Sequence, residues 1–213
     1  MHQLYDVRNE DNLAYDGGGF ALLFSCPEAS IVFGRILPGQ GGMDSRLADG
    51  KEDAAVVLGG MLSYPTGPDN DVFVSKGSWI VARPGETFGY WNKSGKPVSI
   101  FGFRAVTARR GMPGSQRIFK GADSRSAAPA SRAVIYETPT SRGELLSLHP
   151  GEPARLPSSR CRASLVTAGR VMALFGREKI SLDTGEGIAF VKEPVEVVGV
   201  GGLSNVVLFS TIV

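Results

Sequence analysis

The chain contains few of the side chains that most enzymes use for nucleophilic or metal-assisted chemistry. Its two histidines, His2 and His149, have no ligand spacing and cannot complete a Ser-His-Asp or Cys-His set. Cys26 and Cys161 lie far apart without a neighbouring cysteine or histidine, so neither indicates a zinc site. We expect two free thiols, although a disulfide between them stays open. Acid–base chemistry by carboxyl and phenol groups, with guanidinium groups to hold an oxyanion, is what this composition leaves available.

The segment GSWIVARPGETFGYWN, residues 77–92, carries aromatic and polar side chains close together. Its Pro-Gly pair predicts a turn between two strands. On the strand that leaves the turn, alternation places Phe88, Tyr90 and Asn92 on one face and Trp91 on the other. Aromatic rings with a polar tip suit a flat or cyclic organic ligand, but such rings also fill small β-barrels. For Phe88 we favour core filling, and for Tyr90 and Trp91 both roles stay open.

The elements that must position these side chains are strands. Short runs of β-branched and aromatic residues, bounded by Gly, Pro, Asn or Asp, recur along the chain, and helix signals are weak. Gly 28 and Pro 13 are high for 213 residues, while the apolar content is ordinary at 42%. This mixture is typical of many short strands joined by turns. The sequence therefore predicts an all-β protein.

The two halves of the sequence resemble each other. VVLGGMLSY, 56–64, and LVTAGRVMALF, 165–175, each place glycine between two apolar strands and each follow a Pro-Gly pair. Each then leads to a strand introduced by a glycine, Gly77 or Gly185. An internal repeat of this size indicates two copies of one β unit. The expected divisions are an N-terminal barrel over 1–110, a basic linker over 111–132 and a C-terminal barrel over 133–213.

This order of signals resembles the two motifs of the cupin superfamily. Residues 77–92 match the second cupin motif at every spacing, with Arg83 in place of its first proline and Phe88 in place of its histidine. Gly60 resembles the closing glycine of the first motif, which places Asp53 at the position of the metal-binding glutamate. The resemblance covers most of the chain and implies two double-stranded β-helix (jelly-roll) barrels, a bicupin.

Cupins usually hold a divalent transition metal through three imidazoles and one carboxylate. In this sequence the two histidine positions of the first motif fall at Arg46 and Ala48, or at Leu47 and Asp49, depending on loop length. In the second copy, Arg162 takes the glutamate position and Glu196 takes the position of the second-motif histidine. The resemblance thus implies barrels that have lost their imidazole ligands, with no metal and no other cofactor.

The ionisable groups near these positions are the candidate catalytic residues. Asp53 is the acid–base candidate, because the pKa of a carboxyl group rises in a dry barrel. Tyr64 and Tyr90 would be orienting hydroxyls. Glu196, with an arginine such as Arg162 across the barrel, would form a structural ion pair or a second acid–base site.

Four further residues are candidates for substrate binding. Arg46 could hold a carboxylate or enolate oxygen, Asp49 lies beside it, and Phe88 and Trp91 would be apolar walls. The loop RLADGKED, which carries Arg46, Asp49 and Asp53, is equally compatible with a polar surface loop.

Three functions fit this pattern. We favour a metal-independent enzyme, an isomerase, cyclase, dehydratase or other lyase, acting on a small organic acid or a polyketide-like intermediate, because carboxylates remain near the former ligand positions. The second is a module that binds a small molecule without changing it. The third is a barrel pair that serves only assembly, as in the seed-storage relatives of the superfamily.

Charge and hydropathy limit the partners. The net charge of +2, and the scarcity of aromatic residues among the basic ones of 107–132, argue against a nucleic-acid partner. We see no secretory signal and no apolar run of membrane-spanning length, so we expect a cytoplasmic protein. The apolar segment 205–213 could expose a strand edge and favour a homodimer, or could close its own barrel.

The first prediction follows from the missing imidazoles. The purified protein is expected to hold no stoichiometric iron, manganese, nickel or zinc, because sites for these ions depend on imidazole donors. Elemental analysis by mass spectrometry of the freshly purified protein is the measurement. About one tightly held ion per barrel would contradict it.

Overall fold

The computed structural model describes residues 2–16, 19–46, 50–67, 70–107, 114–115, 117–119 and 131–212. Strands make up most of this part of the chain, and the all-β fold predicted from the sequence is confirmed. The described helical structure is one 3₁₀ turn, Glu10–Asn12, and nothing in it is long or apolar enough to cross a membrane.

The strands follow one another with short turns between them. In chain order they are β1 His2–Asp6, β2 Phe20–Cys26, β3 Ala29–Ile36, β4 Gly41–Arg46, β5 Lys51–Gly59, β6 Met61–Gly67, β7 Asn70–Ser75, β8 Trp79–Ala82, β9 Glu86–Trp91, β10 Val98–Val106, β11 Gly114–Ser115, β12 Arg117–Phe119, β13 Ser131–Glu137, β14 Ser141–Leu148, β15 Pro153–Leu156, β16 Arg162–Phe175, β17 Glu178–Asp183, β18 Glu186–Phe190 and β19 Val195–Thr211.

The N-terminal unit comprises Leu13–Gly121 and contains two sheets. One has the strand order β12-β8-β5-β10-β3-β2, and the other has the order β11-β9-β6-β7 with β4 beside β9. Apolar side chains from both sheets form one core: Ile36, Val57, Ile80, Val98 and Ile100 from the first, and Leu62, Tyr64, Val74 and Tyr90 from the second. Burying these side chains between the sheets stabilises the unit.

The C-terminal unit comprises Ala122–Val213 together with Met1–Asn12. Its strands follow the order β1-β18-β16-β19-β14-β13, with β15 also on β19 and β17 on β16. The long strands β16 and β19 pair along two stretches, separated by register shifts around Gly169. Gly169 has a φ of 77°, and such a bulge bends a strand and increases its twist. Each long strand can therefore change direction without ending.

The predicted division placed the first residues of the chain in the N-terminal barrel, over 1–110. In the structure, Met1–Asn12 belong instead to the C-terminal unit. Strand β1 pairs antiparallel with β18, with Tyr5 opposite Gly187. The Tyr5 hydroxyl donates a hydrogen bond to the Ser164 carbonyl, at 2.6 Å. Burial is the main cause that raises the pKa of Tyr5 well above its usual value. The partner of β1 lies almost a whole chain length away, so no local pattern could predict this pairing.

The second prediction tests this anchoring of β1. A Cβ on Gly187 would lie 2.3 Å from the Ser164 carbonyl oxygen and 2.3 Å from Cε2 of Tyr5. Gly187→Ala is therefore expected to lower the free energy of unfolding by about 1–3 kcal/mol, the usual cost of overpacking. Urea unfolding followed by circular dichroism is the measurement.

The matched control is Gly202→Ala. Gly202 also lies in a strand, is exposed, and a Cβ there would meet nothing within 4 Å. The free energy of unfolding of this variant should lie within about 0.5 kcal/mol of the wild-type value. Equal midpoints for the two variants would contradict the role assigned to Gly187.

Candidate functional site

A cavity of about 510 Å³ lies in the N-terminal unit. Strands β2, β3, β5, β8, β9 and β10 line it, together with residues 14 and 16 of the segment before β2. Its volume is in the range of ordinary small-molecule sites. The apolar lining includes Phe20, Leu22, Val32, Ile80 and Ile100, and the ionisable lining residues are Asp16, Asp53, Tyr90 and Arg104.

Strand register explains why these side chains meet. Alternation along β10 places Ile100, Gly102 and Arg104 on one face. The antiparallel neighbours of Arg104 are Ser30 on β3 and Asp53 on β5. Directly opposed residues on one face have their Cβ atoms about 5 Å apart. The cavity wall is therefore a set of cross-strand rows rather than a loop.

The apolar part of the wall depends on Gly34. Phe20 and Ile100 are the cross-strand neighbours of Gly34. A Cβ at Gly34 would lie 2.7 Å from Cγ1 of Ile100 and 2.9 Å from the Phe20 ring. Because glycine has no side chain, the Phe20 ring reaches the cavity and contacts Tyr90 edge-on, with ring centroids 6.2 Å apart.

Asp53 and Arg104 form a bidentate ion pair at the wall of the cavity. Nε of Arg104 donates to Oδ1 of Asp53 at 2.6 Å, and Nη2 donates to Oδ2 at 2.5 Å. The Asp53 side chain is 15% exposed, whereas that of Arg104 is 48% exposed. The hydrogen bonds that Arg104 donates to Asp53 raise the pKa of Arg104 more than burial lowers it. The cavity thus contains a fixed guanidinium that stays charged.

Tyr90 supplies a protonated hydroxyl. Burial, and then the negative charge of Asp16, raises the pKa of Tyr90 to about 12. Asp16 is held by a tight turn, in which its Oδ1 accepts a hydrogen bond from the Phe20 backbone N–H at 2.8 Å. A phenol with this pKa keeps its proton at any physiological pH and is able to donate a hydrogen bond.

The structure brings together only some of the predicted site residues. Asp53 and Tyr90 both line the cavity. Tyr64 is buried in the same core as Tyr90 but does not line the cavity. Trp91 lies on the other face of β9, as alternation predicted, and its ring covers Gly41. The side chains of Arg46 and Phe88, and the whole of Asp49, lie outside the described residues.

Glu196 is not brought into the interior of its barrel. Its neighbours Val195 and Val197 belong to the core of the C-terminal unit, so alternation turns Glu196 outward. There it accepts a hydrogen bond from Nε of Arg155 at 3.2 Å, and the Arg155 side chain is 91% exposed. Such a pair is screened by solvent and contributes little.

Three residues of the site were missed by sequence reasoning: Asp16, Phe20 and Arg104. Arg104 had a usable signal, because the run VSIFGFRAV alternates and places Arg104 on the face of Ile100 and Gly102. Asp16 and Phe20 precede or begin β2 in a glycine-rich segment. Only the pairing of β2 with β3 places them at the cavity.

The donor set of the cavity does not fit the metal site that the resemblance would imply. That site needs three imidazoles, whereas the cavity presents carboxylates, a phenol and a guanidinium. His2 stacks on Phe175 at 4.9 Å, and His149 is exposed. Across the described part of the chain, no three His, Cys, Asp or Glu side chains are grouped so as to hold a metal ion.

The third prediction concerns the ionisation of Tyr90. The phenol ionises near pH 10 in the unfolded chain and near 12 in the folded one. The folded state therefore keeps this proton over a range in which the unfolded state loses it. The stability that Tyr90 contributes is full below about pH 10 and is lost as the pH rises towards about 12.

NMR of protein labelled with ¹³C at the tyrosine Cζ measures this directly. Of the five tyrosine signals, the one absent from Tyr90→Phe should titrate with a midpoint near 12. Circular dichroism at each pH confirms that the protein remains folded. A midpoint near the ordinary value of about 10 would contradict the burial assigned to the hydroxyl.

No family model and no curated protein matches the sequence. Solved structures do resemble it. Protein Ylba from E. coli has a TM-score of 0.76 at 14% identity, over 99% of this chain and 90% of that one. A cupin 2 conserved barrel domain protein from Leptotrichia buccalis has a TM-score of 0.72 at 9% identity, over 99% and 96%.

Salicylate 1,2-dioxygenase from Pseudoaminobacter salicylatoxidans, in a structure with gentisate, has a TM-score of 0.71 at 14% identity, over 99% of this chain and 81% of that one. At such identities the likeness shows the fold alone. It confirms the predicted class: the chain has the all-β jelly-roll fold of cupin proteins.

Proposed function

We propose that the N-terminal unit binds a small organic acid with a flat or cyclic apolar body and performs metal-independent acid–base chemistry on it, of the isomerase, cyclase or dehydratase type. The observation that carries this proposal is the cavity of about 510 Å³, in which a guanidinium held by Asp53 stands against aliphatic and aromatic walls. Apolar pockets with a few fixed polar groups are typical of sites for small molecules.

The charged end of the ligand is assigned to Arg104. A guanidinium has five N–H donors, and Asp53 engages two of its nitrogen atoms. The remaining donors are free of Asp53 and are available to a second carboxylate or to an enolate oxygen. Asp53 fixes the plane of the guanidinium, so a ligand does not have to order it. Charge and orientation at this position therefore favour an organic acid.

The proton-transfer groups are assigned to Tyr90 and Asp53. The Tyr90 hydroxyl, protonated and buried, is suited to donate a hydrogen bond or a proton to an oxygen on which negative charge develops. A carboxylate has about four lone-pair sites, and Arg104 occupies two of those of Asp53. The others allow Asp53 to accept a proton from a carbon next to a carbonyl group.

A second candidate function is binding without turnover. The same ion pair favours it, because both oxygen atoms of Asp53 already accept hydrogen bonds from a fully charged guanidinium. Both oxygen atoms are then engaged by Arg104 and are less available to take a proton from a ligand. The site would then be a carrier or sensor of organic acids.

The fourth prediction tests recognition of the acid. Benzoate, salicylate and gentisate are suitable probes, and salicylamide is the neutral counterpart of salicylate. Calorimetric titration should show at least one of the acids binding about tenfold or more tightly than salicylamide, since a hydrogen bond to a charged group contributes about 1.5–3 kcal/mol. Arg104→Gln should remove this preference.

Arg170→Gln is the matched control. Arg170 also pairs with an aspartate on the neighbouring strand, Asp183, but belongs to the C-terminal unit and does not line the cavity. The Arg170→Gln variant should bind the acids with the same affinity as the wild type. Unchanged affinity in Arg104→Gln, or equal affinity for the acids and salicylamide, would refute the assignment of Arg104.

Turnover is separated from binding by proton NMR in D₂O with a panel of small 3-keto and 3-hydroxy acids. Exchange of the C2 proton for deuterium reports proton abstraction. Asp53→Asn and Tyr90→Phe are each expected to slow this exchange by about 100-fold or more, the usual contribution of an acid–base group. An acid that binds at Arg104 but never exchanges would favour the second candidate function.

A further inference from the structure

The C-terminal unit contains a second concentration of charge, in which Glu144 and Arg162 are buried and Arg132 and Arg142 are about one-third exposed. Arg142 and Glu144 lie on the face of β14 that also presents Leu146 and Leu148 to the core. Arg162 lies on the face of β16 that presents Val166. Alternation therefore directs these charges inward, where an unpaired charge is costly.

The two sides of this cluster differ in how their charges are neutralised. Glu144 is fully buried and is paired with Arg132, whose Nε and Nη2 atoms donate at 2.8 Å and 2.9 Å. Arg142 pairs with Glu137, which is half exposed. Arg162 forms no ion pair among the described residues, so positive charge is in excess.

Arg162 is the group that requires an explanation. It is 3% exposed, its Nη1 donates to the Pro157 carbonyl at 2.7 Å, and its guanidinium lies 5.8 Å from the centre of the Phe190 ring. Its Nε is buried without a hydrogen-bond partner in the described protein, and so is Nε of Arg142. A buried donor that lacks an acceptor costs about 1–3 kcal/mol, and more when it is charged.

Register shows where an acceptor would fit. Ser210 on β19 is the direct neighbour of Arg142 on one side and of Arg162 on the other. Neighbouring strands are about 4.8 Å apart, so the Cα atoms of the two arginines are about 10 Å apart, with the small Ser210 side chain between them. The Arg142 and Arg162 side chains therefore flank one small side chain on the same face of the sheet.

We propose that Arg142 and Arg162 bind a small oxyanion, a carboxylate or a phosphate, above Ser210 in the C-terminal unit. The anion accepts hydrogen bonds from the Nε–H groups of the two arginines and neutralises Arg162. Burial lowers the pKa of Arg162 to about 10, with Glu144 opposing this effect and Arg132 and Arg142 adding to it. Charge-assisted hydrogen bonds of this kind are among the strongest that side chains form. This site is separate from the proposed N-terminal one and does not depend on it.

The fifth prediction is a stabilisation that depends on the anion. Formate or phosphate should raise the Tm relative to chloride at equal ionic strength. The rise should be about 5 °C once the anion exceeds its Kd tenfold, by mass action on the folded state. A larger response to formate than to phosphate identifies the site as one for carboxylates, and the reverse as one for phosphate.

Arg162→Met keeps most of the side-chain volume and removes the charge. It should abolish the difference between formate or phosphate and chloride. Arg155→Met, which changes an exposed arginine of the same unit, should retain the response. Arg104→Gln should also retain it, which separates this site from the N-terminal cavity. An undiminished response in Arg162→Met, or equal effects of chloride and both oxyanions, would overturn the proposal.

A second measurement does not depend on the folding of Arg162→Met. In ¹⁵N-labelled wild-type protein, the Nε–H signals of two arginines should shift saturably on titration with formate or phosphate, and not with chloride. Arg162→Lys and Arg142→Lys each assign one of these signals by its loss. Nε–H signals that stay unshifted through both titrations would refute the site.

Discussion

The placement of the charged side chains in this protein depends on one constraint: successive residues of a strand face opposite sides of its sheet. A charged side chain on the inner face is stabilised by a partner across the strands, because an unpaired charge in the interior costs several kcal/mol. Asp53 and Arg104 meet in this way, and so do Glu144 and Arg132. Glu196, one position away from two core valines, faces the solvent and needs no such partner.

Much of the fold could be predicted from sequence, because the turns depend on residues within the turns themselves, such as glycines with a positive φ. Gly60 and Gly169, aligned by the internal repeat, have φ values of 80° and 77°, which other residues rarely adopt. The positions of such glycines are read directly from the sequence, and they mark turns or bulges of the strands. The assignment of β1 could not be predicted in this way, because its partner is set by a contact between the two ends of the chain.

The candidate site was predicted in part. Tyr90 follows from alternation within one strand, whereas Asp53 comes from the resemblance to the first cupin motif, in which Gly60 takes the place of the closing glycine. Arg104 was missed because its importance arises from the register between β5 and β10, which are some fifty positions apart. Glu196 was misplaced by a shift of one position, which in a strand reverses the face. Register across strands is the information that a single sequence does not contain.

The pairing of β1 with β18 has a consequence for how the protein is made. Because the C-terminal unit contains both ends of the chain, Leu13–Gly121 is in topological terms an insertion into it. During synthesis the inserted unit is complete and able to fold while β1 still awaits its partner strand. The strand that pairs with β1 is therefore made only after the whole of Leu13–Gly121 has been synthesised.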